Sequence, residues 1–397
     1  MASPPTPRAV TSARALTLAA HASFVPIGIV TVLLSPLLPT LSEKWSLNYS
    51  QAGALFTAQF LASTFAVMLS GVLIVRLGFR FAIKVGLAVM AVSVGALLAG
   101  SRLLGTACIA GYGVGLGLAV PAANLLVSEV NPDRRGAALN LLNFSWSAGA
   151  VACPFLVAAA TKNHRVPLFL AVVAGFCALV AVGIAATPSS IVEPSDAKVA
   201  GGSSATVPWK HRSIAILAAL FFLYVGAENS FGGWVASYAH SLGSMSAAMS
   251  VMTPSFFYSA LMLGRWVAPL VLRRFEEIQV AQGGLLLACA GMAGLVGSHA
   301  LPGVVASASV AGLGLAAVYP ITISLLAREF GPAASRVGSV MFTCANLGGA
   351  FLPWLVGVSS NQVGTLKAGL AVPLIASGLM YFLYLRNWNS TAVEQLA

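Results

Sequence analysis

Long runs of apolar residues alternate with short polar segments along the whole chain. Each run is about 20 residues or longer, the length that an α-helix needs to cross a bilayer. Alternating strands of about ten residues, which would indicate a β-barrel, are absent from the pattern. We therefore predict an all-α polytopic membrane protein with twelve transmembrane helices, at residues 14–41, 50–75, 79–101, 103–129, 135–160, 166–186, 213–239, 247–272, 278–298, 301–327, 334–360 and 367–385.

The twelve predicted helices divide into two halves of six. The halves correspond to residues 1–187 and 212–397, and each is expected to form its own six-helix bundle. Residues 188–211 between them are rich in Ser, Gly and Pro, so we predict that they form a flexible cytoplasmic linker.

Two short motifs recur in the second half at nearly the same offset. Gly115-Leu-Gly-Leu-Ala recurs from Gly312, 197 residues later, and Gly149-x4-Pro recurs from Gly348, 199 residues later. Parallel repeats of this kind occur in transporters whose halves rock about a site near the middle of the bilayer. The repeat therefore predicts two pseudo-symmetric bundles.

The charges are few, and their distribution indicates topology. The chain is 58% hydrophobic and 8% charged, with a mean hydropathy of +0.90 and a net charge of +11. If the N-terminus is cytoplasmic, only five of the 21 Lys and Arg residues lie in outside loops. We predict a multi-pass protein of the cell inner membrane with both termini cytoplasmic. The basic side would attract anionic lipid, and we expect no binding to nucleic acid.

Motifs for catalysis or cofactor binding are missing from the sequence. The five cysteines lie inside apolar runs without metal-ligand spacing. The sequence also has no phosphate-binding loop and no Ser-His-acid set. The N-terminal residues lack the cleavage pattern of a signal peptide, so the first helix should remain in the membrane. We expect no enzyme activity, no cofactor and no metal, and a chain that works as a monomer.

Glu228 is the one acidic residue, of ten, that lies near the middle of an apolar run. A charged side chain at that depth costs roughly 2.5–3.5 kcal/mol on insertion scales, so such residues usually face an internal cavity and have a function there. The carboxyl group could carry a proton with a solute, or it could hydrogen-bond a solute hydroxyl. Glu228 is therefore the predicted proton-coupling residue, if any proton is carried.

Uncharged polar residues near that depth suggest a binding site for a small solute. An amide carries both donors and acceptors, which suits it to binding hydroxyl groups. Residues three apart share a helical face, as do two asparagines and a tryptophan in the fifth apolar run. The predicted substrate-binding residues are Asn124, Asn140, Asn143, Trp146, Glu228, Asn229, Trp234, Tyr319 and Asn346. Two alternatives remain open: buried amides can bond helix to helix, at about 0.6 kcal/mol each, and Trp234 is equally consistent with an interfacial anchor.

Charged residues cluster at the predicted cytoplasmic ends of several helices. Opposite charges on neighbouring helix ends could hold the protein closed on the cytoplasmic side, so we predict a gate there. The gate candidates are Arg76, Arg80, Glu129, Arg134, Arg135 and Arg265. The same charges could instead reflect topology alone, and Arg265 could extend its charge to the membrane surface.

The segment from Gly71 to Arg80 resembles the signature between the second and third helices of the major facilitator superfamily. That resemblance implies the major facilitator fold, with two pseudo-symmetric six-helix bundles. Val75 departs from the signature, which usually has an aspartate at that position.

A narrower resemblance is to the fucose/glucose/galactose–proton symporter family and its fungal relatives. The most specific segment is Tyr224-Val-Gly-Ala-Glu, which is followed by Gly232-Gly-Trp. Further matching segments begin at Leu47, Ala122, Leu139, Tyr319 and Gly348. The resemblance implies that Asn140 and Asn143 bind sugar. Ser35 and Val120 stand where family members tend to have acids, so the acids most readily linked to proton transfer are missing.

These observations predict a secondary transporter of a monosaccharide or a similar polyhydroxylated small solute, working by rocker-switch alternating access. Proton coupling through Glu228 and an uncoupled sugar facilitator both fit the sequence. A second hypothesis is an exporter of drugs or amphipathic metabolites, against which the several asparagines argue. A third is a receptor or scaffold on the same fold, since a fold does not by itself determine function.

Overall fold

The computed structural model describes residues 7–131, 135–186 and 212–394. The regular secondary structure in these ranges is helical, and twelve helical segments are long and apolar enough to cross a membrane, as predicted. The helices are α1 (Pro7–Val32), α2 (Leu34–Trp45), α3 (Tyr49–Leu77), α4 (Phe79–Ala96), α5 (Arg102–Val130), α6 (Arg135–Lys162), α7 (Val166–Ala186), α8 (Arg212–Ser241), α9 (Ala247–Val271), α10 (Glu277–Gly297), α11 (Leu301–Leu315), α12 (Val318–Phe330), α13 (Ala334–Val363), α14 (Leu366–Gly369) and α15 (Ala371–Glu394).

Three of the predicted helices are interrupted, and each interruption lies just before a proline. A proline ring clashes with the carbonyl group four residues earlier and removes one helical hydrogen bond. The residues four positions before Pro36, Pro320 and Pro373 are Val32, Ala316 and Gly369, and each lies at a helix end or in the break that follows it. The breaks separate α1 from α2, α11 from α12 and α14 from α15.

The chain divides into two compact units. The first comprises Met1–Leu33, Ala58–Cys153 and His164–Val199, and the second comprises Leu34–Thr57, Pro154–Asn163 and Ala200–Ala397. The predicted linker, 188–211, lies outside the described residues. Two segments from the first half of the sequence thus pack within the second unit.

Within the second unit, the segment Leu34–Thr57 is hydrogen-bonded to α8 and α13. The hydroxyl of Ser35 donates to the backbone carbonyl of Gly232 at 2.5 Å. The hydroxyl of Thr57 donates to the carbonyl of Ala350 at 2.8 Å. Ser35 therefore links the first predicted span to the seventh.

In the first unit, glycines of α5 allow close contact with two neighbouring helices. A methyl group on Gly113 would lie 2.3 Å from the carbonyl oxygen of Gln59 on α3. A methyl group on Gly115 would lie 2.6 Å from the carbonyl oxygen of Gly86 on α4. Small residues at these positions let the backbones approach, as is common between helices in membranes.

The second unit repeats this packing and corrects the register of one sequence repeat. A methyl group on Gly312 would lie 2.3 Å from the carbonyl oxygen of Phe257 on α9, and one on Gly314 would lie 2.5 Å from that of Gly284 on α10. The structural counterpart of Gly312 is therefore Gly113, two residues before the glycine that the sequence comparison pairs with it. Glycine at alternate positions of α5 made that register ambiguous, because a shift of two residues still aligns glycine with glycine.

Candidate functional site

Glu228 lies on α8 in the second unit and forms an ion pair with a residue of the next helix. Its Oε2 atom is 3.8 Å from Nη2 of Arg265 on α9. The side chains are 13% exposed for Glu228 and 28% exposed for Arg265. The acid that the sequence presents as isolated therefore has a basic partner inside the helical core.

Two tyrosines complete a polar group that we call the Glu228 cluster, consisting of Tyr224, Glu228, Arg265 and Tyr319. The rings of Tyr224 and Tyr319 stack with centroids 5.1 Å apart. Both hydroxyl groups interact electrostatically with the carboxyl and guanidinium groups. The cluster thus joins α8, α9 and α12.

The break between α11 and α12 helps to position this cluster. Leu315 is the last residue of α11, and the last carbonyls of a helix lack a partner within it. The hydroxyl of Tyr224 donates to the carbonyl of Leu315 at 3.2 Å. Pro320, which directly follows Tyr319, accounts for the break. The hydrogen bond from Tyr224 therefore connects the interrupted backbone of the tenth predicted span to the Glu228 cluster.

The first unit contains the predicted amide site on α6. Asn140 and Asn143 are exposed, and Trp146 is half-buried on the next turn. The side-chain amide of Asn143 donates to the carbonyl of Leu139 at 2.9 Å, one turn earlier on the same helix. An amide has a second N–H and a carbonyl oxygen available beyond such a bond. The side chain can therefore bind a solute hydroxyl while its position is held by α6.

Asn124 and Asn229 follow the same arrangement on other helices. Their amides donate to the carbonyls of Val120 and Val225, at 2.9 and 2.8 Å. Both asparagines are half-buried, as is Asn346 on α13. The amide donors of Asn124 and Asn229 are thus bonded within their own helices rather than between helices.

A network that the sequence did not reveal holds Trp146 in place. Its indole Nε1 donates to the hydroxyl of Thr31 on α1 at 3.3 Å. Gln59 donates to the carbonyl of Thr31 at 3.2 Å and accepts from the hydroxyl of Tyr112 at 3.2 Å. Polar residues in apolar helices are the only sequence signal for this network, and that signal does not identify partners.

Trp234 lies in the interior of the second unit. It is 1% exposed, and its indole nitrogen donates to the carbonyl of Pro353 at 2.9 Å. The rings of Tyr49 and Phe56 lie with centroids 6.4 and 6.2 Å from it. In this conformation Trp234 packs α3 and α13 onto α8. A role in substrate binding stays a prediction and would require the side chain to become exposed.

The gate candidates that the structure describes differ in their contacts and in their exposure. Arg80 donates to the carbonyls of Ile184 and Ala185 at 3.0 and 3.3 Å, where a cation also interacts favourably with the C-terminal end of a helix. Arg76 and Glu129 are exposed. Arg134 lies outside the described residues, as does the side chain of Arg135. Gate function stays a prediction for all six candidates, and Arg265 belongs to the Glu228 cluster.

No cluster of three or more His, Cys, Asp or Glu side chains that could hold a metal ion occurs within the described ranges. Hydroxyl, amide, carboxyl and guanidinium groups of this kind can bind a polar solute without bond making or breaking.

Comparisons with known proteins give a consistent family and several relatives. The family model described as the Major Facilitator Superfamily matches residues 20–353. A glucose/galactose transporter of Brucella abortus is 25% identical over 381 residues, covering 89% of this chain and 90% of the relative. The multidrug efflux protein YfmO of Bacillus subtilis is 26% identical over 391 residues, covering 91% and 88%. The crystal structure of a D-xylose–proton symporter matches with a TM-score of 0.79 at 14% identity, covering 94% of this chain and 97% of that one.

Proposed function

The chain belongs to the Major Facilitator Superfamily, and on that premise we propose that it transports a monosaccharide or a similar polyhydroxylated small solute. Membership confirms three predictions from the sequence: the family, a multi-pass membrane protein, and a chain that is not an enzyme. Transport of a sugar, the coupling ion and the mechanism are the parts that we propose.

The observation that carries the proposal is the pair of exposed amides, Asn140 and Asn143, beside Trp146 on one face of α6. Small-molecule sites combine an apolar or aromatic surface with a few convergent polar groups. A sugar presents adjacent hydroxyl groups to the amides and a C–H face to the indole. Similarity to a glucose/galactose transporter over nearly the whole chain supports the same substrate class.

Similarity to a multidrug efflux protein supports a second candidate, an exporter of drugs or amphipathic metabolites. A lipophilic substrate gains little from exposed amides or from a carboxyl–guanidinium pair, whereas a polyhydroxylated solute can hydrogen-bond to either kind of group. We therefore place sugar transport first, and transport assays with both classes of solute distinguish the two.

We propose rocker-switch alternating access as the mechanism, in the inner membrane, with both termini cytoplasmic and the monomer as the working form. The repeated glycine packing of α5 and α11 supports two halves of similar internal construction. A proton on Glu228 would remove its negative charge and with it the attraction to Arg265, and this is the step at which we propose that proton binding acts. A facilitator without ion coupling is the alternative.

Uptake of labelled monosaccharide into proteoliposomes tests the proposed function. Asn143→Ala should raise the KM for the sugar about tenfold, the equivalent of roughly 1.4 kcal/mol, since it removes one polar contact. Asn163→Ala is a matched control, because Asn163, the residue after α6, also donates one turn back, to the carbonyl of Ala159 at 2.7 Å. Uptake of lipophilic cations in place of sugar would favour the exporter.

Glu228→Gln tests proton coupling. The amide cannot carry a proton, so accumulation driven by a pH gradient should be lost, while counterflow exchange of sugar, which needs no net proton movement, should persist. The measurement compares accumulation and counterflow in the same proteoliposome preparation. Accumulation that is unchanged in the variant would show that Glu228 is not the coupling residue.

A further inference from the structure

The charged groups of Glu228 and Arg265 lie near each other, but their separation is longer than a direct hydrogen bond. The two atoms lie 3.8 Å apart, whereas charge-assisted N–H···O bonds are about 2.7–2.9 Å long. The hydroxyl of Tyr224 interacts with both charged groups. A small polar group of a solute can therefore bind to both charges without first breaking a tight contact.

The guanidinium of Arg265 also has unused donor capacity. Its Nε atom is buried and has no hydrogen-bond partner among the residues that the structure describes. Buried polar groups in native proteins are nearly always paired. An unpaired donor next to a partly exposed carboxyl group marks a position where a solute or water molecule can complete the hydrogen bonding.

The charges of the cluster cancel. The hydroxyls of Tyr224 and Tyr319 interact with one negative and one positive group, Glu228 and Arg265. Opposite charges placed this close compensate each other, and a third charge would disturb that balance. An anionic solute would be attracted by the guanidinium and repelled by the carboxylate, and a cationic solute would meet the reverse.

We infer that the Glu228–Arg265 pair selects charge-neutral solutes and that Arg265 is a specificity-determining residue of the transporter. A sugar hydroxyl can accept a hydrogen bond from the guanidinium and donate one to the carboxylate. Sugar acids and protonated amino sugars are disfavoured, because each leaves one member of the pair facing a like charge. The inference deepens the proposed function and rests on it.

The test is a selectivity measurement on five forms of the full-length protein. Counterflow in proteoliposomes is measured with D-glucose, D-glucuronate and D-glucosamine, at a pH at which the amine is protonated. The forms are the unchanged protein, Glu228→Gln, Arg265→Gln and the doubly substituted protein, each checked for folding by size-exclusion chromatography. Arg265→Lys, which keeps the positive charge, is a fifth, conservative form.

The unchanged protein should prefer glucose over both charged sugars by about tenfold or more. Glu228→Gln leaves the guanidinium uncompensated, so the ratio of glucuronate to glucose should rise about tenfold. Arg265→Gln should raise the ratio of glucosamine to glucose by a similar factor. The double substitution restores electrical balance, so the ratios of glucuronate and of glucosamine to glucose should both return to those of the unchanged protein. Arg265→Lys keeps the positive charge and should keep the preference for glucose over both charged sugars.

Opposite shifts in the two single variants are the signature that a merely structural pair would not produce. Equal losses of exchange activity for all three sugars in both variants would overturn the inference. They would not count against the proposal that the protein transports a sugar. If one single variant fails to fold, the other is still expected to change its ratio of charged to neutral sugar exchange in a known direction. The preference of the unchanged protein for glucose is then a separate test of the inference. If the unchanged protein exchanges either charged sugar as readily as it exchanges glucose, the inferred selectivity is wrong. A protein that exchanges none of the three contradicts the proposed function itself.

Discussion

Gly348→Ala should markedly destabilise the second unit, because α13 could no longer pack against α8. The added methyl group would lie 2.0 Å from the backbone carbonyl oxygen of Phe222. A backbone atom cannot rotate away as a side chain can, so the two helices would have to separate. Overpacking of this kind costs about 1–3 kcal/mol or more. The measurement is the melting temperature of the purified protein in detergent.

Gly149→Ala should have the same effect in the first unit, since its methyl group would lie 2.1 Å from the carbonyl oxygen of Val25 on α1. Gly378 on α15 and Gly175 on α7 provide matched controls, because a methyl group at either position meets nothing within 4 Å. Alanine at the control positions should leave the melting temperature unchanged or raise it slightly. Equal losses at test and control positions would mean that helix flexibility, rather than close packing, explains the effect.

These two glycines show why part of the fold was predictable. The motif Gly-x4-Pro recurs in the sequence because the same close helix contact is built twice. Helix positions followed from apolar length alone, and α7 (Val166–Ala186) has the predicted bounds. The breaks were not predictable, since α9 continues through Pro254 and Pro269 whereas the chain is interrupted before Pro320. At the break before Pro320, the hydroxyl of Tyr224 donates to the carbonyl of Leu315, and such a contact between distant segments cannot be read from the sequence.

The candidate site was predictable only where one residue was unusual in its own segment. A lone acid in an apolar run identified Glu228. Arg265 lies six residues before the end of α9, so its sequence position is that of a charge near a helix end. Only the packing of α9 on α8 reveals that the two charges meet. Contacts between distant segments carry that information, and hydrophobic periodicity does not.

Trp234→Ala should destabilise the protein more than any substitution at the exposed amides. The side chain is 1% exposed, donates to the carbonyl of Pro353, and packs against Tyr49 and Phe56. Removing a buried tryptophan typically costs about 3–5 kcal/mol, including the cavity that is left. The loss should appear as a lower melting temperature and a lower yield of monodisperse protein.

Two further variants separate the contributions of Trp234. Trp234→Phe keeps most of the ring but loses the hydrogen bond to Pro353, so it should cost roughly 0.5–1.5 kcal/mol and leave sugar affinity unchanged. Trp266→Ala is the control for loss of an indole group, since Trp266 on α9 is 76% exposed and should tolerate the change. If Trp234→Phe instead raised the KM for sugar tenfold at unchanged stability, the indole would have to contact the solute in another conformation. The stability and KM measurements together therefore decide whether Trp234 holds the segment Leu34–Thr57 against α8 or binds substrate.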